Sequence, residues 1–223
     1  MKHFGILLVV LALSSLACSR FQVNLFDTPA PAVPTPAIPG AVPPVQPPLI
    51  QLPNLSGVQL GDEFRDEHCG YSFRKIPSYG FDATSGFGPI MTAPGADMTT
   101  GPIIVIFCGV FDYTRTNDDL ITKLTANTDA SGTPEANPII YSNQRNVRVG
   151  GVNAVSLDTQ AQDTASGGAV AVKGRIVVAM ITPYRSVGIQ GLAPADKWEE
   201  TRPYFEAVVN SFSFFEPTVT PTP

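Results

Sequence analysis

The stretch Ile103-Ile-Val-Ile-Phe-Cys-Gly-Val-Phe111 is apolar along its whole length and rich in β-branched side chains. Such residues, like aromatic ones, favour strands. A strand without alternation of apolar and polar residues is usually covered on both faces. We therefore predict that Ile103–Phe111 is a central strand of a sheet, with other elements packed above and below it.

Shorter strand patterns precede this stretch. Tyr71 to Ile76 alternates apolar and polar residues and stops at Pro77, which predicts a strand with one exposed face. A further short strand is predicted near Ile90-Met91. The many glycines and prolines between Ser78 and Gly101 indicate irregular connections around it.

Two glycine-containing turns follow the central stretch. Gly150-Gly151 predicts a hairpin within Val147–Leu157, and Lys173-Gly174 predicts a second hairpin within Ala169–Ile181. The small, polar stretch Thr159–Gly168 between them is predicted to be a mobile loop.

A short helix is predicted after residue 116. Thr116 with Asp119 three residues later resembles a capping box. The apolar stripe of this helix is Leu120, Ile121 and Leu124.

A longer helix is predicted near the end of the chain. Trp198 extends its apolar stripe backward, and Pro203 is tolerated either near a helix start or as a kink. The stripe continues through Phe205, Val208, Val209 and Phe212 at helical spacing. A short strand, Phe212 to Phe215, then closes the domain. The predicted fold class is α+β, a mostly antiparallel sheet flanked by helices in a layered α/β/α sandwich.

Residues 1–17 have the pattern of an export signal. Lys2 supplies the positive charge, Phe4 to Leu13 the apolar region, and Ser14 to Ala17 the small-residue cleavage zone. The apolar region is shorter than the roughly 20 residues that span a bilayer. We therefore expect an exported protein without a transmembrane helix.

Cys18 directly follows the predicted cleavage zone. In this position it resembles the lipidated cysteine of bacterial lipoproteins, although Ser15 and Leu16 depart from the usual residues there. We predict that Cys18 is lipidated and anchors the protein on the outer face of the cytoplasmic membrane, in the bacterial cell envelope. The alternative is a freely secreted protein, because Ser15 and Ala17 also satisfy the ordinary small-x-small cleavage rule.

Residues 18–55 are predicted to be a disordered, proline-rich stalk. Ten prolines lie between Asp27 and Pro53, and such a run favours polyproline II over helix or central strand. The stalk would extend up to about 100 Å, as a spacer through an envelope layer. The alternative is a ligand for an SH3-like domain. Residues 56–216 are expected to form one domain, and residues 217–223 a disordered Thr/Pro tail.

The charge of the mature chain is negative. Without residues 1–17 it has 13 basic and 19 acidic side chains, a net charge of −6. Nucleic-acid binding requires clustered basic residues, so we exclude nucleic acid as a partner. The charge also argues against binding to an anionic membrane surface.

The chain has few residues for catalysis or metal binding. His68 is the only histidine after the signal, and Cys69 and Cys108 lack the spacing of a zinc site. The acidic cluster Asp62, Glu63, Asp66 and Glu67 is interpreted as the solvated face of a helix. We therefore predict no catalytic, metal or cofactor-binding residues and no cofactor.

Cys69 and Cys108 are the two cysteines that remain once Cys18 is assigned to the lipid. In an oxidising compartment they are candidates for a disulfide that links two predicted strands. The alternative is two separate buried thiols.

Three segments resemble the PsbP/Mog-type superfamily, as found in PsbP-like exported lipoproteins. They are Gly70-Tyr71-Ser72-Phe73 with Ile76-Pro77, Val147-x-Val149-Gly150-Gly151-x-x-Ala154, and Phe205-x-x-Val208-Val209-x-Ser211-Phe212. The resemblance implies an antiparallel sheet flanked by helices and a binding or assembly protein without catalysis. It carries no functional residue over to this chain.

Three functions are consistent with the sequence. The first is a membrane-tethered, non-enzymatic binding or assembly domain, whose partner is another envelope protein or a small hydrophobic ligand between sheet and helix. The second is an extracytoplasmic hydrolase that uses a pair of carboxylates, which need no particular spacing. The third is a spacer whose domain only caps the stalk.

Overall fold

The computed structural model describes residues 57–85, 88–96, 101–127, 138–163 and 170–218. The predicted signal peptide, Cys18, the stalk and the last five residues of the tail lie outside them. Within the described ranges, no helix combines the length and apolarity needed to cross a bilayer.

The domain contains ten strands and two helices within these ranges. The strands are β1 Glu63–Asp66, β2 Tyr71–Arg74, β3 Gly80–Asp82, β4 Ile90–Thr92, β5 Ile103–Val110, β6 Ile140–Val149, β7 Val152–Asp163, β8 Val170–Thr182, β9 Arg185–Pro194 and β10 Ser213–Phe214. The helices are α1 Asn117–Thr125 and α2 Trp198–Asn210.

The strands form two antiparallel sheets. The larger has the order β3-β4-β5-β9-β8-β7-β6, and the smaller has the order β1-β2-β10. One face of the large sheet packs against α2 and the small sheet through the main apolar core. Part of the other face packs against α1 through a second core. The predicted α+β sandwich is confirmed.

The strand β5 is an inner strand, as its apolar sequence predicts. It pairs with β4 on one side and with β9 on the other. Ile104 and Ile106 are buried on the face towards α2, while Ile103 and Val105 are buried on the opposite face. Burial on both faces explains why this strand has no polar alternation.

The local helix signals are confirmed. The Thr116 hydroxyl accepts a hydrogen bond from the Asp119 N–H, and the Asp119 carboxylate accepts one from the Thr116 N–H, which completes the capping box of α1. The three residues of its predicted stripe are buried. In α2, Trp198 starts the helix and Pro203 lies inside it. Phe212 follows the helix and remains in the core.

The hairpin around Gly150-Gly151 is confirmed, because β6 and β7 pair directly across these two residues. Both glycines have a positive φ, which favours glycine over other residues. The short strand near Ile90-Met91 and the terminal strand β10 are also present.

The second hairpin, predicted at Lys173-Gly174, is wrong. β8 runs without a break through both residues, and the chain turns at Pro183-Tyr184 instead. Gly174 is needed for close packing rather than for a turn, because a Cβ there would overlap the Gly191 carbonyl oxygen and lie 2.8 Å from Leu192 Cδ2.

The prediction of a loop at Thr159–Gly168 is wrong for residues 159–163. Residues 159–163 continue β7 and pair with β8, for example Gln160 with Lys173. Long-range pairing overrides the weak strand propensity of small, polar residues. Residues 164–169 lie outside the described ranges.

The helical interpretation of the acidic cluster is also wrong. Glu63 and Asp66 are the ends of β1, whose residues alternate between exposed and half-buried. Phe64, between them, packs on Phe73 of β2 with ring centroids 5.4 Å apart. The backbone pairs with β2, so the carboxylates line an edge strand rather than a helix face.

Candidate functional site

The structure joins the two candidate cysteines in a disulfide, Cys69–Cys108, with Cα atoms 6.2 Å apart. Cys69 lies in the turn between β1 and β2, and Cys108 lies on β5. The bond therefore ties the small sheet to the large one. The predicted disulfide is confirmed.

The other sequence candidates near this bond play structural parts. His68 is exposed in the turn after β1. Its backbone N–H and that of Cys69 both donate hydrogen bonds of 2.9 Å to the Asp66 carboxylate, which orders the turn. Glu67 pairs with Arg65. Across the described ranges, no three His, Cys, Asp or Glu side chains are grouped as metal ligands.

A charged cluster lies between the large sheet and α2. Arg175 of β8 donates from Nε to Asp158 Oδ1 on β7 and from Nη1 to Glu206 Oε1 on α2, both at 2.7 Å. The side chains of Arg175 and Glu206 are each only 6% exposed. We call Arg145, Asp158, Arg175 and Glu206 the buried ion cluster.

The outer edge of the buried ion cluster lies on β6. Arg145 donates to Asp158 Oδ1 at 2.7 Å, and Asn143 donates to Asp158 Oδ2 at 3.0 Å. Asn143 has a positive φ at the irregularity in the β6–β7 pairing, a conformation that asparagine tolerates better than most residues. The bulge thus places a side-chain amide beside the carboxylate.

The pKa of Asp158 is lowered in this setting. Burial alone would raise it, but the hydrogen bonds from Arg175 and Asn143 and the charges of Arg175 and Arg145 outweigh burial. A general acid in catalysis needs the opposite shift. Asp158 and Glu206 are the carboxylates that meet here, and both are bound to one guanidinium. Their chemistry is that of fixed ions that hold α2 on the sheet.

Sequence reasoning missed the buried ion cluster, although a signal for it was present. Arg145 shares a strand face with Val147 and Val149, and Arg175 shares one with Val177. A charged residue in register with buried apolar ones indicates a buried ion pair. The partner on α2, however, depends on how the helix lies across the sheet.

Two exposed tyrosines lie where β5 ends and β8 turns into β9. Tyr113 is 52% exposed and Tyr184 is 51% exposed. The Phe111 N–H donates to the Tyr184 carbonyl oxygen at 2.8 Å, which joins the two segments. The Arg115 guanidinium lies over the Tyr113 ring, 4.2 Å from its centroid. This end of the sheet had no signal in the sequence.

No known protein-family profile matches the chain, and no curated protein matches it. Solved structures do match. PsbP from the cyanobacterium Synechocystis sp. PCC 6803, called CyanoP, has a TM-score of 0.52 and 16% identity, over 74% of this chain and 99% of that one. LpqN from Mycobacterium tuberculosis, described as involved in cell envelope biogenesis, has a TM-score of 0.49 and 11% identity, over 64% and 82%.

These identities are too low to carry a function from one protein to another, so the likeness concerns the fold. CyanoP matches across nearly its whole length, and its match agrees with the arrangement of sheets and helices described above. The resemblance predicted from the sequence is therefore confirmed for the architecture: the chain has a PsbP-like fold.

Proposed function

We propose that this protein is an extracytoplasmic, membrane-tethered lipoprotein whose PsbP-like domain binds or assembles with another envelope component without catalysing a reaction. The sequence supports the location through the export signal, Cys18 and the proline-rich stalk. The fold and the surface of the domain support the binding role.

The observation that carries the proposal is the buried ion cluster. The fold brings the carboxylates of Asp158 and Glu206 to one guanidinium, that of Arg175. A hydrolase with a carboxylate pair needs one carboxyl that holds a proton near neutral pH. The pKa of Asp158 is shifted the other way, so the cluster suits a structural role and favours a binding protein over the hydrolase.

The proposal is tested by purifying the full-length chain from chemically crosslinked envelopes of the organism that makes it. Recovery of a single protein in constant ratio is the expected result. In parallel, the purified chain is incubated with glycan and ester libraries. Turnover that disappears in an Asp158→Asn variant would establish the hydrolase instead.

The membrane tether is tested separately with a Cys18→Ala variant. Attachment through two or more acyl chains is effectively permanent, whereas the unlipidated chain lacks any anchor of this kind. We expect the native protein in the membrane fraction and the variant in the soluble extracytoplasmic fraction. A variant that stays with the membrane would contradict lipid anchoring at Cys18.

A further inference from the structure

The exposed aromatic end of the sheet has the make-up of a protein-binding surface. We define Tyr113, Arg115 and Tyr184 as the distal patch. Tyrosine and arginine are enriched among the residues that dominate binding at protein interfaces. Here the two tyrosines are about half exposed, and the segments that carry them are joined by backbone hydrogen bonds from Phe111 to Tyr184 and from Arg115 to Pro183.

A small apolar cavity opens beside the distal patch, between α1 and the sheet. Its volume is about 20 Å³. Its lining includes Phe107, Phe111, Leu120, Leu124, Val178 and Ser186. A space of this size holds roughly one water-sized group. It therefore fits the end of one aliphatic side chain, whereas a drug-sized ligand requires several hundred Å³.

Arg115 gives the patch its chemical preference. Its guanidinium stacks on Tyr113 and lies 5.8 Å from the Phe111 ring centroid. Its Nε is buried without a hydrogen-bond partner, and no carboxylate in the described ranges forms an ion pair with it. Stacking uses the face of the guanidinium and leaves its in-plane terminal N–H groups, rather than the enclosed Nε–H, for a carboxylate.

The charges near Arg115 help to decide which kind of anion it binds. The pKa of Lys123 is lowered by burial and, next, by the charge of Arg115, which places a second cation close by. The pKa of Asp119 is lowered first by its hydrogen bonds with Thr116 in the capping box and to a smaller extent by the charge of Arg115, so this carboxylate lies within electrostatic range of the guanidinium without forming an ion pair with it. Asp112 and Asp118, each three residues along the chain from Arg115, are exposed, so a broad anionic lipid surface would face these like charges. A single carboxylate on a protein matches this arrangement better than a bilayer does.

The distal patch lies at the other end of the large sheet from the start of the described chain. The described chain starts at Gly57, and Phe64 soon afterwards packs on Phe81, with ring centroids 5.1 Å apart. Phe81 belongs to the row of the sheet that includes Ile104, at the start of β5. The patch follows Val110, at the end of β5. The chain therefore enters at one end of the large sheet and presents the patch at the other.

We infer that the distal patch docks a partner protein that presents a carboxylate to Arg115 and, beside it, an aliphatic side chain to the cavity between α1 and β5. This inference rests on the proposed binding function and names the surface that performs it. The partner lies at the end of the large sheet opposite the start of the described chain.

The test places a photoreactive p-benzoylphenylalanine, in separate full-length variants, at Tyr113, Tyr184 or Tyr204. An aromatic replacement preserves the ring on which Arg115 stacks. Tyr204 is the control, since it is exposed on α2, away from the patch. After illumination in the native envelope, we expect the same protein adduct from the two patch positions and none from Tyr204.

Two further variants test whether formation of the adduct depends on the charge of Arg115. Arg115→Glu should lower the adduct yield about tenfold or more, because a like charge would face the partner carboxylate, whereas Arg115→Lys should keep part of the yield. Arg202→Glu is the matched control on α2 and should leave the yield unchanged. Unchanged thermal unfolding of each variant shows that the domain remains folded. Mapping of the crosslinked site on the partner should place it beside an acidic and an aliphatic residue.

The remaining outcomes overturn the inference in distinguishable ways. An adduct with a second copy of this chain, with lipid or with glycan, or a yield unaffected by Arg115→Glu, would refute the partner chemistry. A single protein captured from Tyr204 alone would leave the proposed function standing and reject this surface. Capture from none of the three positions would reject the surface; failure of the envelope purification as well would reject both.

Discussion

At the residue scale, Arg175 links three elements of the domain. It lies on β8 and bonds to carboxylates on β7 and α2 while almost fully buried. A buried ion pair adds little net stability compared with apolar residues, yet the loss of one member leaves an uncompensated charge inside the protein. The cluster therefore specifies where α2 sits.

We predict that Arg175→Met lowers the free energy of unfolding by about 3–5 kcal/mol, as measured by urea denaturation. The double variant Arg175→Met with Glu206→Leu should lose less, because the stranded carboxylate of Glu206 is removed too. Arg202→Met, which breaks an exposed pair with Glu199, is the control and should change stability by no more than about 1 kcal/mol. A loss below about 1 kcal/mol in the single variant would contradict the role of the cluster.

Asp158 makes stability depend on pH. Its folded-state pKa lies below the ordinary value of 3.8, so the unfolded chain takes up the proton first as the pH falls. Its contribution is therefore complete above about pH 4 and is lost at lower pH, as the pH falls through the folded-state pKa. Between pH 6 and pH 3, the free energy of unfolding should fall less in Asp158→Asn than in the native protein. A carboxyl titration by NMR with a midpoint at or above 3.8 would show that the cluster does not hold the anion.

At the element scale, the large sheet depends on close contacts that only glycine permits. Gly174 on β8 has no side chain, and this allows the backbone of β8 to lie close to that of β9. On β9, Gly191 lies under the ring of Phe205, which anchors α2 to the sheet. Glycine weakens strand propensity, so packing, and not local preference, makes these residues part of strands.

We predict that Gly174→Ala lowers the free energy of unfolding by about 1–3 kcal/mol, the range for overpacking. The added methyl group would overlap the Gly191 carbonyl oxygen, which is backbone and has little room to move. Gly80→Ala on the edge strand β3 is the matched control, since its nearest neighbour would be the Thr92 carbonyl oxygen at 3.8 Å. Equal stability of the two variants in urea denaturation would contradict continuous packing of β8 against β9.

At the scale of the whole molecule, the disulfide is the covalent link between the two sheets. Cys69 and Cys108 are 39 residues apart in the chain. Closing a loop of this length lowers the entropy of the unfolded chain. On the loop-entropy model this stabilises the folded state by roughly 4 kcal/mol.

We predict that the double variant Cys69→Ser, Cys108→Ser loses about 2–4 kcal/mol of unfolding free energy. Reduction of the native protein with dithiothreitol should produce a comparable loss. Cys18→Ala is the control and should unfold like the native protein, with the same sensitivity to reductant. If the native protein were as stable in reductant as without it, the link would not contribute to stability.

The sequence by itself determined the features whose signals act over a few residues. The capping box at Thr116 fixed the start of α1, the apolar period from Trp198 to Phe212 fixed α2, and Gly150-Gly151 fixed the turn between β6 and β7. The unbroken apolar run of β5 likewise showed that both sides of the sheet are covered. Each of these signals depends on contacts along the chain or on the simple periodicity of an element.

Only the tertiary structure decided the rest, because the relevant partners are distant in the chain. β9 occupies the middle of the large sheet although its glycines hide the strand pattern, and β1 is a strand only because β2 pairs with it. Arg175 meets Glu206 across 31 residues, and Tyr113 lies near Tyr184 because β5 and β9 are neighbours. The buried ion cluster and the distal patch thus arise from strand order and helix placement, which local sequence preferences do not encode.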